Sequence, residues 1–184
     1  MMEYYRDRSD LLERCLPKHG TCMEIGVYRG GHARLIWDIS QPTRMILVDI
    51  EVQPRITKMF AEQIERGSVC IVNGRSPDVL EMWKPHSVDW VYVDASHDEV
   101  SVFHDLQVAR TLVHQSGIIA GHDICMPGDE KLVRNHIPGV LSGVTRFCDE
   151  YGWHIHALTE IHPEQDKWDP LSPQQPSFVL RRNT

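Results

Sequence analysis

The sequence predicts a single α/β domain built on a mostly parallel β-sheet. Short apolar runs alternate with segments of helical periodicity, a pattern typical of parallel strands joined by crossover helices. The apolar runs are residues 21–27, 44–50, 68–73, 88–94 and 116–121, and the helix-like segments are 31–39, 54–66, 76–83 and 98–114. A length of 184 residues fits one domain, 1–184, that can bury a core without disulfides or structural metals.

The two ends of the chain complete this pattern. Residues 1–20 are predicted to form a leading helix, because Leu11, Leu12, Cys15 and Leu16 recur at helical spacing before Pro17. After a further helix that follows residue 138, the apolar runs 153–158 and 178–180 are predicted to pair as an antiparallel hairpin at the sheet edge. The connection between them, 160–176, is rich in proline and contains Trp168. It is either a rigid surface loop or a flap over the substrate.

Composition narrows the expected partners and compartment. The chain has 26 acidic and 19 basic residues, a net charge of -7, which predicts no nucleic-acid partner because such affinity comes largely from Lys and Arg. Five cysteines, without a C-x-x-C pair, favour a reducing compartment. The absence of a signal-like or membrane-length apolar run predicts no membrane association. A cytoplasmic protein is therefore expected.

The segment 23–31 contains the first candidate binding motif. Glu24, Gly26 and Gly30 stand at E-x-G-x-x-x-G spacing directly after the first predicted buried strand. Glycine tolerates positive φ and lets the backbone approach a ligand, so a strand-to-helix turn of this kind predicts a cofactor cradle. The spacing departs from the G-x-G-x-x-G of dinucleotide-binding turns, which argues against a dinucleotide ligand.

A second acidic residue lies about 20 positions further on. The apolar run 44–49 ends at Asp49, and residues 69–74 form the next predicted strand. In a doubly wound sheet, a carboxylate at the end of the second strand accepts hydrogen bonds from ribose hydroxyls. The glycine turn and Asp49 together predict a cofactor that contains a nucleoside.

With these motifs the sequence resembles the class I S-adenosylmethionine-dependent methyltransferases, and the resemblance covers nearly the whole chain. It implies a Rossmann-like domain with seven strands, an antiparallel last strand and helices on both faces. It also implies that S-adenosylmethionine is the cofactor, with Gly26 and Gly30 in the methionine loop and Glu24 beneath the cofactor. Asp49 would then bind the ribose, and Arg75 and Ser76 would lie near the adenine.

Four polar residues follow two strands that should be neighbours. Asp94 and His97 come after the run 88–93, and His122 and Asp123 come after the run 117–121. The carboxyl ends of neighbouring parallel strands lie at one edge, so the four side chains are expected to converge there. Clustered carboxylates and imidazoles are costly unless a proton or a cation holds them together. Oxygen and imidazole groups suit a divalent metal.

The segments 94–97, 105–106 and 117–123 resemble a branch of metal-dependent O-methyltransferases that act on sugar hydroxyls, including macrolide-sugar methyltransferases. This resemblance implies that Asp94 and Asp123 bind Mg and that His97 is the general base. His122 stands where the branch has Glu. An imidazole ligand would favour Mn or a later transition metal. The predicted metal ligands are therefore Asp94, His122 and Asp123, and the predicted catalytic residues are His97 and Asp94.

The resulting functional hypothesis is an O-methyltransferase that modifies a hydroxyl of a sugar, a glycan or another small polar molecule. Its expected partner is a small-molecule or carbohydrate acceptor, and a homo-oligomer is compatible with the sequence. Two alternatives remain open. One is a non-catalytic cofactor-binding or metal-binding module on the same fold. The other is an NAD-dependent oxidoreductase, against which the absence of a third turn glycine and of a Tyr-x-x-x-Lys pair both argue.

Overall fold

The computed structural model of the protein describes residues 2–128, 138–165 and 173–183. The elements of the first half are β1 (Glu3–Tyr5), α1 (Arg8–Arg14), β2 (Thr21–Ile25), α2 (Gly31–Ser40), β3 (Arg44–Asp49), α3 (Pro54–Met59), α4 (Ala61–Glu65), β4 (Val69–Asn73), a 3₁₀ turn (Ser76–Asp78) and α5 (Val79–Met82). Those of the second half are β5 (Val88–Val93), α6 (Glu99–Leu112), β6 (Val113–Gly121), α7 (Pro138–Tyr151), β7 (Trp153–Thr159), β8 (His162–Gln165), β9 (Pro173–Gln174) and β10 (Phe178–Arg182).

Eight of these strands form one sheet in the order β1-β7-β10-β6-β5-β2-β3-β4. β10 runs antiparallel to both of its neighbours, β6 and β7, and the other neighbouring pairs are parallel. This arrangement confirms the predicted α/β class with a mostly parallel sheet and a reversed last strand. The strand order changes direction between β2 and β5, so their carboxyl ends border the crevice where such sheets bind ligands.

The sheet has one strand more than the seven that were predicted. Residues 3–5 form β1, which pairs in parallel with β7 from Glu3 opposite Ala157. The prediction of one leading helix over 1–20 is therefore too long at both ends, since α1 spans only Arg8–Arg14. The side chain of Asp7 accepts a hydrogen bond from the Asp10 amide and caps α1, so the helix begins at Arg8.

The same extra strand changes the position of the predicted hairpin. β10 pairs with β7 in antiparallel fashion, as expected. It lies between β6 and β7, and β7 is covered by β1, so neither hairpin strand is the edge of the sheet. The connection that follows β7 contains the two-stranded ribbon β8–β9. Trp168 and the rest of 166–172 lie outside the described residues, as does 129–137.

Two apolar layers cover the two faces of the sheet. Alternate residues of the central strands point to opposite faces, as strand geometry requires. Met23, Ile46 and Val91 pack with α6 and α7 on one face. Leu11, Leu12, Ile36 and Ile56, from the helices α1 to α3, pack on the other, against strand residues such as Leu47 and Trp90. The five cysteines are free.

Helices α6 and α7 approach each other closely through small residues. A Cβ added at Gly139 would overlap the main-chain carbonyl of His97, and one at Gly143 would lie 2.9 Å from the carbonyl oxygen of Glu99. Glycine at these positions lets α7 rest directly on the segment 97–99, which leads from β5 into α6. In the described part of the chain, no helix has both the length and the hydrophobicity needed to cross a membrane.

Candidate active site

The glycine turn, residues 26–30 between β2 and α2, lies beside the end of β5. Gly26 has φ of 90°, and its amide donates a 2.9 Å hydrogen bond to the Val48 carbonyl. A Cβ at this position would overlap the main-chain carbonyl of Asp94. Gly30 also has positive φ and is the N-terminal capping residue of α2. Glycine is therefore required at position 26 both by conformation and by the neighbouring strand.

Asp49 holds this turn in place. Its Oδ2 accepts hydrogen bonds of 2.8 Å from the amides of both Val27 and Tyr28, and its Oδ1 accepts a 3.2 Å bond from the Glu51 amide. Tyr28 has φ of 47°, a conformation that costs energy for a residue with a side chain. The carboxylate at the end of β3 thus stabilises a strained loop, a role that sequence reasoning did not anticipate.

A cleft of about 520 Å³ opens between the glycine turn and the ends of the central strands. Its lining residues are Ile25, Gly26, Tyr28, Val48, Asp49, Ile50, Glu51, Gln53, Gly74, Asp94, Ala95 and Ser96. This volume falls within the usual range for cofactor pockets. Of the residues predicted to bind the cofactor, Gly26 and Asp49 line the cleft. Glu24, Gly30, Arg75 and Ser76 do not.

Glu24 lies behind the cleft in a buried pair with His32. Oε1 of Glu24 is 2.9 Å from Nδ1 of His32, and the imidazole packs on the Tyr92 ring with centroids 4.1 Å apart. Burial raises the pKa of Glu24 and lowers the pKa of His32, because each charged form loses solvation. Burial therefore disfavours the charged form of both members of the pair.

Ser76 faces away from the cleft. Its hydroxyl donates a short hydrogen bond to the carboxylate of Asp105 on α6, and both residues are buried. The Arg75 amide donates to Asp78 within the 3₁₀ turn. Burial raises the pKa of Asp105. The Ser76 hydroxyl thus links the 3₁₀ turn to α6 by a hydrogen bond.

The residues that follow β5 and β6 form a compact polar cluster, which meets the cleft at Asp94. Single potential ligand atoms of Asp94, His97 and Asp123 all lie within 4.8 Å of one another. Nε2 of His97 is 2.6 Å from Asp123 Oδ2. Nδ1 of His122 is 2.9 Å from Asp123 Oδ1 and 3.9 Å from Asp94 Oδ2. The structure therefore brings together the four residues that strand adjacency predicted to converge.

These contacts shift the acidity of the cluster in opposite directions. Burial, with the nearby Asp123 carboxylate, raises the pKa of Asp94. Burial also acts against ionisation of Asp123, but the charge and hydrogen bonds of His122 and His97 outweigh it and hold the pKa of Asp123 well below its ordinary value. The hydrogen bond to Asp123 raises the pKa of His97. Asp123 is thus the more acidic of the two carboxyl groups in the cluster.

Arg8 is a member of this site that sequence reasoning missed. Its Nη1 is 3.9 Å from Asp94 Oδ2, and its Nη2 is 3.4 Å from His122 Nδ1. The shorter contact of His122 Nδ1 with Asp123 requires a proton on that nitrogen, so the approach of Arg8 to it is a proximity and not a hydrogen bond. The only sequence signal was a basic residue directly after the helix-capping Asp7.

The reversed last strand, the glycine turn and Asp49 beside a cofactor-sized cleft define a class I S-adenosylmethionine-dependent methyltransferase. Residues 23–124, more than half of the chain, match the family model described as a methyltransferase domain, and the protein belongs to that family. Family membership also removes the NAD-dependent oxidoreductase alternative. No curated protein sequence matches the chain.

Solved structures share the fold at low sequence identity. The tRNA methyltransferase TrmK of B. subtilis is 9% identical with a TM-score of 0.65, and the alignment covers 97% of this chain and 66% of that one. This chain therefore spans just under two thirds of that relative. The ribosomal protein L11 methylase of Lactobacillus delbrueckii subsp. bulgaricus is 11% identical with a TM-score of 0.62, covering 94% and 75%. The precorrin-6y C5,15-methyltransferase of Geobacter metallireducens is 14% identical with a TM-score of 0.61, covering 94% and 83%.

The expectation of a small-molecule or carbohydrate acceptor, with nucleic acid excluded, is wrong. Structures that share this fold over almost the whole chain include a tRNA methyltransferase and a ribosomal protein methylase. The exclusion had been drawn from a net charge of -7. Net charge describes the whole surface, whereas an acceptor contacts only the region around the cleft. The net charge therefore does not exclude nucleic acid as an acceptor.

Proposed function

We propose that the protein transfers the methyl group of S-adenosylmethionine to a hydroxyl oxygen, with a divalent cation held by Asp94 and Asp123 and with His97 as general base. The observation that carries this proposal is the position of Asp94. It lines the cofactor cleft and also belongs to the group of ligand atoms formed with His97 and Asp123. A methyl donor in the cleft and a hydroxyl at the cluster would therefore face each other.

The cofactor side of the site is supplied by the glycine turn and Asp49. Gly26 lets the backbone approach a bound cofactor closely. The Asp49 carboxylate lines the same cleft and can accept hydrogen bonds from ribose hydroxyls. Because Asp49 also anchors the amides of Val27 and Tyr28, ribose binding and the shape of the turn depend on one side chain.

The acceptor side must activate a weak nucleophile. A hydroxyl group has a pKa far above neutrality, and a bound divalent cation would lower that pKa and fix the oxygen in place. The donor set suits this purpose, since carboxylate oxygens are ligands that Mg and Mn accept. Both carboxylates lie just beyond strand ends, Asp94 directly after β5 and Asp123 two residues after β6.

His97 has the environment of a general base. Its Nε2 is hydrogen-bonded to Asp123, and a carboxylate orients the catalytic imidazole of a histidine base in the same way. Nδ1 is then left to receive a proton. About 41% of the side chain is exposed, which gives an acceptor access to it. The raised pKa of His97 means that it binds a proton readily once a hydroxyl releases one.

His122 supports the site in this scheme and is not a ligand. Its side chain is only 7% exposed, and its Nδ1 is used by Asp123. Residues behind a metal ligand commonly fix the ligand's orientation through such a hydrogen bond. In this scheme His122, predicted from the sequence as a third ligand, is assigned the role of orienting Asp123 instead.

The test is a methyl-transfer assay with radiolabelled S-adenosylmethionine, run after chelation and again after addition of Mn or Mg. Because the acceptor is defined by its hydroxyl, the acceptor set contains both glycosides and short RNAs. Asp94→Asn and Asp123→Asn should each reduce metal-dependent transfer by about 100-fold or more, since each removes a charged ligand. Asp38→Asn, at an exposed helical ion pair, is the matched control.

Two results would overturn this function. Full activity in chelator, with elemental analysis showing no metal in the protein, would remove the cation. Product analysis that places the methyl group on nitrogen or carbon would remove O-methylation while leaving the methyltransferase class intact.

A further inference from the structure

We propose that Arg8 is a built-in counter-cation of the Asp94–Asp123 cluster and that it sets the affinity for divalent metal by competing for Asp94. This role rests on the metal-assisted function proposed above. It assigns Arg8 as a positioning residue, because the guanidinium acts through Asp94 and not on the reacting atoms.

The contacts of Arg8 with the cluster are partly shielded from water. The guanidinium lies 3.9 Å from Asp94 Oδ2, with side-chain exposures of 18% for Arg8 and 21% for Asp94. Interactions between charges at this depth are screened less than those on the surface. Arg8 therefore neutralises part of the negative charge that a metal ion would otherwise find at Asp94.

The position of Arg8 in its helix supports the same role. Arg8 is the first residue of α1, directly after the capping Asp7. A cation there meets the positive end of the helix dipole, so the helix gains nothing from it. Arg14 in the last turn of the same helix provides the contrast, since it is 64% exposed, lies at the favourable end and pairs with Asp10 on the surface. The contact across to Asp94 Oδ2 is favourable for the guanidinium, whereas its place at the beginning of α1 is not.

Metal binding and the Arg8–Asp94 ion pair then oppose each other. A divalent cation coordinated by Asp94 would lie within a few ångströms of a guanidinium that cannot lose its proton. The ion must displace the guanidinium from Asp94 or bind against its repulsion. Either route lowers metal affinity, so removal of the positive charge should make the metal bind more tightly.

The experiment is a calorimetric titration of the full chain with Mn. Arg8→Gln and Arg8→Met should each lower the dissociation constant for Mn by about tenfold, given the short distance between the charges. Arg8→Lys keeps the charge and should remain within about twofold of the wild type. Arg14→Gln, which makes the same charge change on the same helix, should also remain unchanged, because its charge is exposed and screened. Circular dichroism establishes that each variant is folded, and either neutral variant is sufficient for the comparison.

The outcomes separate this role from the function on which it rests. If the wild type binds Mn and the neutral variants bind it equally or more weakly, the role of Arg8 is overturned and the proposed function stands. If Arg8→Lys binds as tightly as Arg8→Gln, packing and not charge is responsible, and the role is again overturned. If neither the wild type nor any variant binds Mn, both the role and the metal-assisted mechanism are overturned. Binding by the neutral variants alone supports the role.

Discussion

Replacement of Asp49 by Ala should lower both the stability of the domain and its affinity for S-adenosylmethionine. The carboxylate accepts two main-chain hydrogen bonds of 2.8 Å from the glycine turn. Hydrogen bonds to a charged group are worth roughly 1.5–3 kcal/mol each, and at this half-buried position the lower value applies, which gives a loss of about 3 kcal/mol. For a domain of this size that corresponds to a fall in melting temperature of about 6–12 °C.

Asp49→Asn separates the contributions of charge and shape. The amide oxygen of Asn can still accept hydrogen bonds from Val27 and Tyr28. Because each neutral hydrogen bond is weaker than the charged one it replaces, the loss of stability should be roughly 1–2 kcal/mol. Calorimetry should show affinity for S-adenosylmethionine reduced by more than about tenfold in Asp49→Ala, because the same group is assigned to the ribose hydroxyls. Asp38→Asn, on the exposed face of α2, should match the wild type in both measurements.

Thermal denaturation and calorimetry can each refute part of this reasoning. An unchanged melting temperature in Asp49→Ala would show that the turn does not depend on the carboxylate. A fall in stability with unchanged cofactor affinity would make Asp49 an anchor of the turn only and would remove it from the ribose site.

Three further outcomes are expected. Gly26→Ala should lower the melting temperature by about 5–15 °C and abolish cofactor binding, because a positive φ costs roughly 1–2 kcal/mol and overlap with the neighbouring strand adds a further 1–3 kcal/mol. Gly67→Ala, with φ of 74° and open space around its Cβ, should show only the first cost and normal binding by calorimetry. His97→Ala should retain bound metal by elemental analysis and lose about 10²–10⁴-fold in rate, the usual contribution of a general base, whereas loss of the metal would make His97 a ligand. Asp105→Asn should be more stable than the wild type at neutral pH. Burial raises the folded-state pKa of Asp105, so its stabilising contribution is present below the unfolded pKa and is lost as pH rises through the folded pKa. Urea denaturation should show this gain shrinking towards acidic pH, and a gain that does not vary with pH would contradict the assignment.

The features that sequence reasoning predicted correctly depend on periodicity and topology. Apolar runs of six or seven residues mark the buried parallel strands, and their order places the carboxyl ends of β5 and β6 side by side. The meeting of Asp94 with Asp123 follows from that adjacency alone. Gly26 was identifiable because a strand that stops at glycine before a helix is a local signal.

The features that were missed depend on contacts without a local signal. Strand β1 has only three residues and is formed by pairing with β7, some 150 positions away. Arg8 reaches His122 across 114 positions. Ser76 was predicted to lie near the adenine, but its hydroxyl donates to Asp105 on α6. The helical periodicity around Asp105 shows that this residue lies in a helix, but it does not show which part of the fold the Asp105 side chain will contact.

The close approach of α7 to the segment 97–99 links catalysis to a helix that contributes no side chain to the cleft lining. The main-chain carbonyl of His97 lies where a methyl group on Gly139 would be, so α7 limits where the backbone of residue 97 can lie. A larger side chain at position 139 would therefore displace this backbone, and with it the base proposed above, without altering any polar group. Under the proposed function, a directed-evolution library confined to α7 is expected to change turnover through the spacing of two helices while leaving cofactor affinity unaffected.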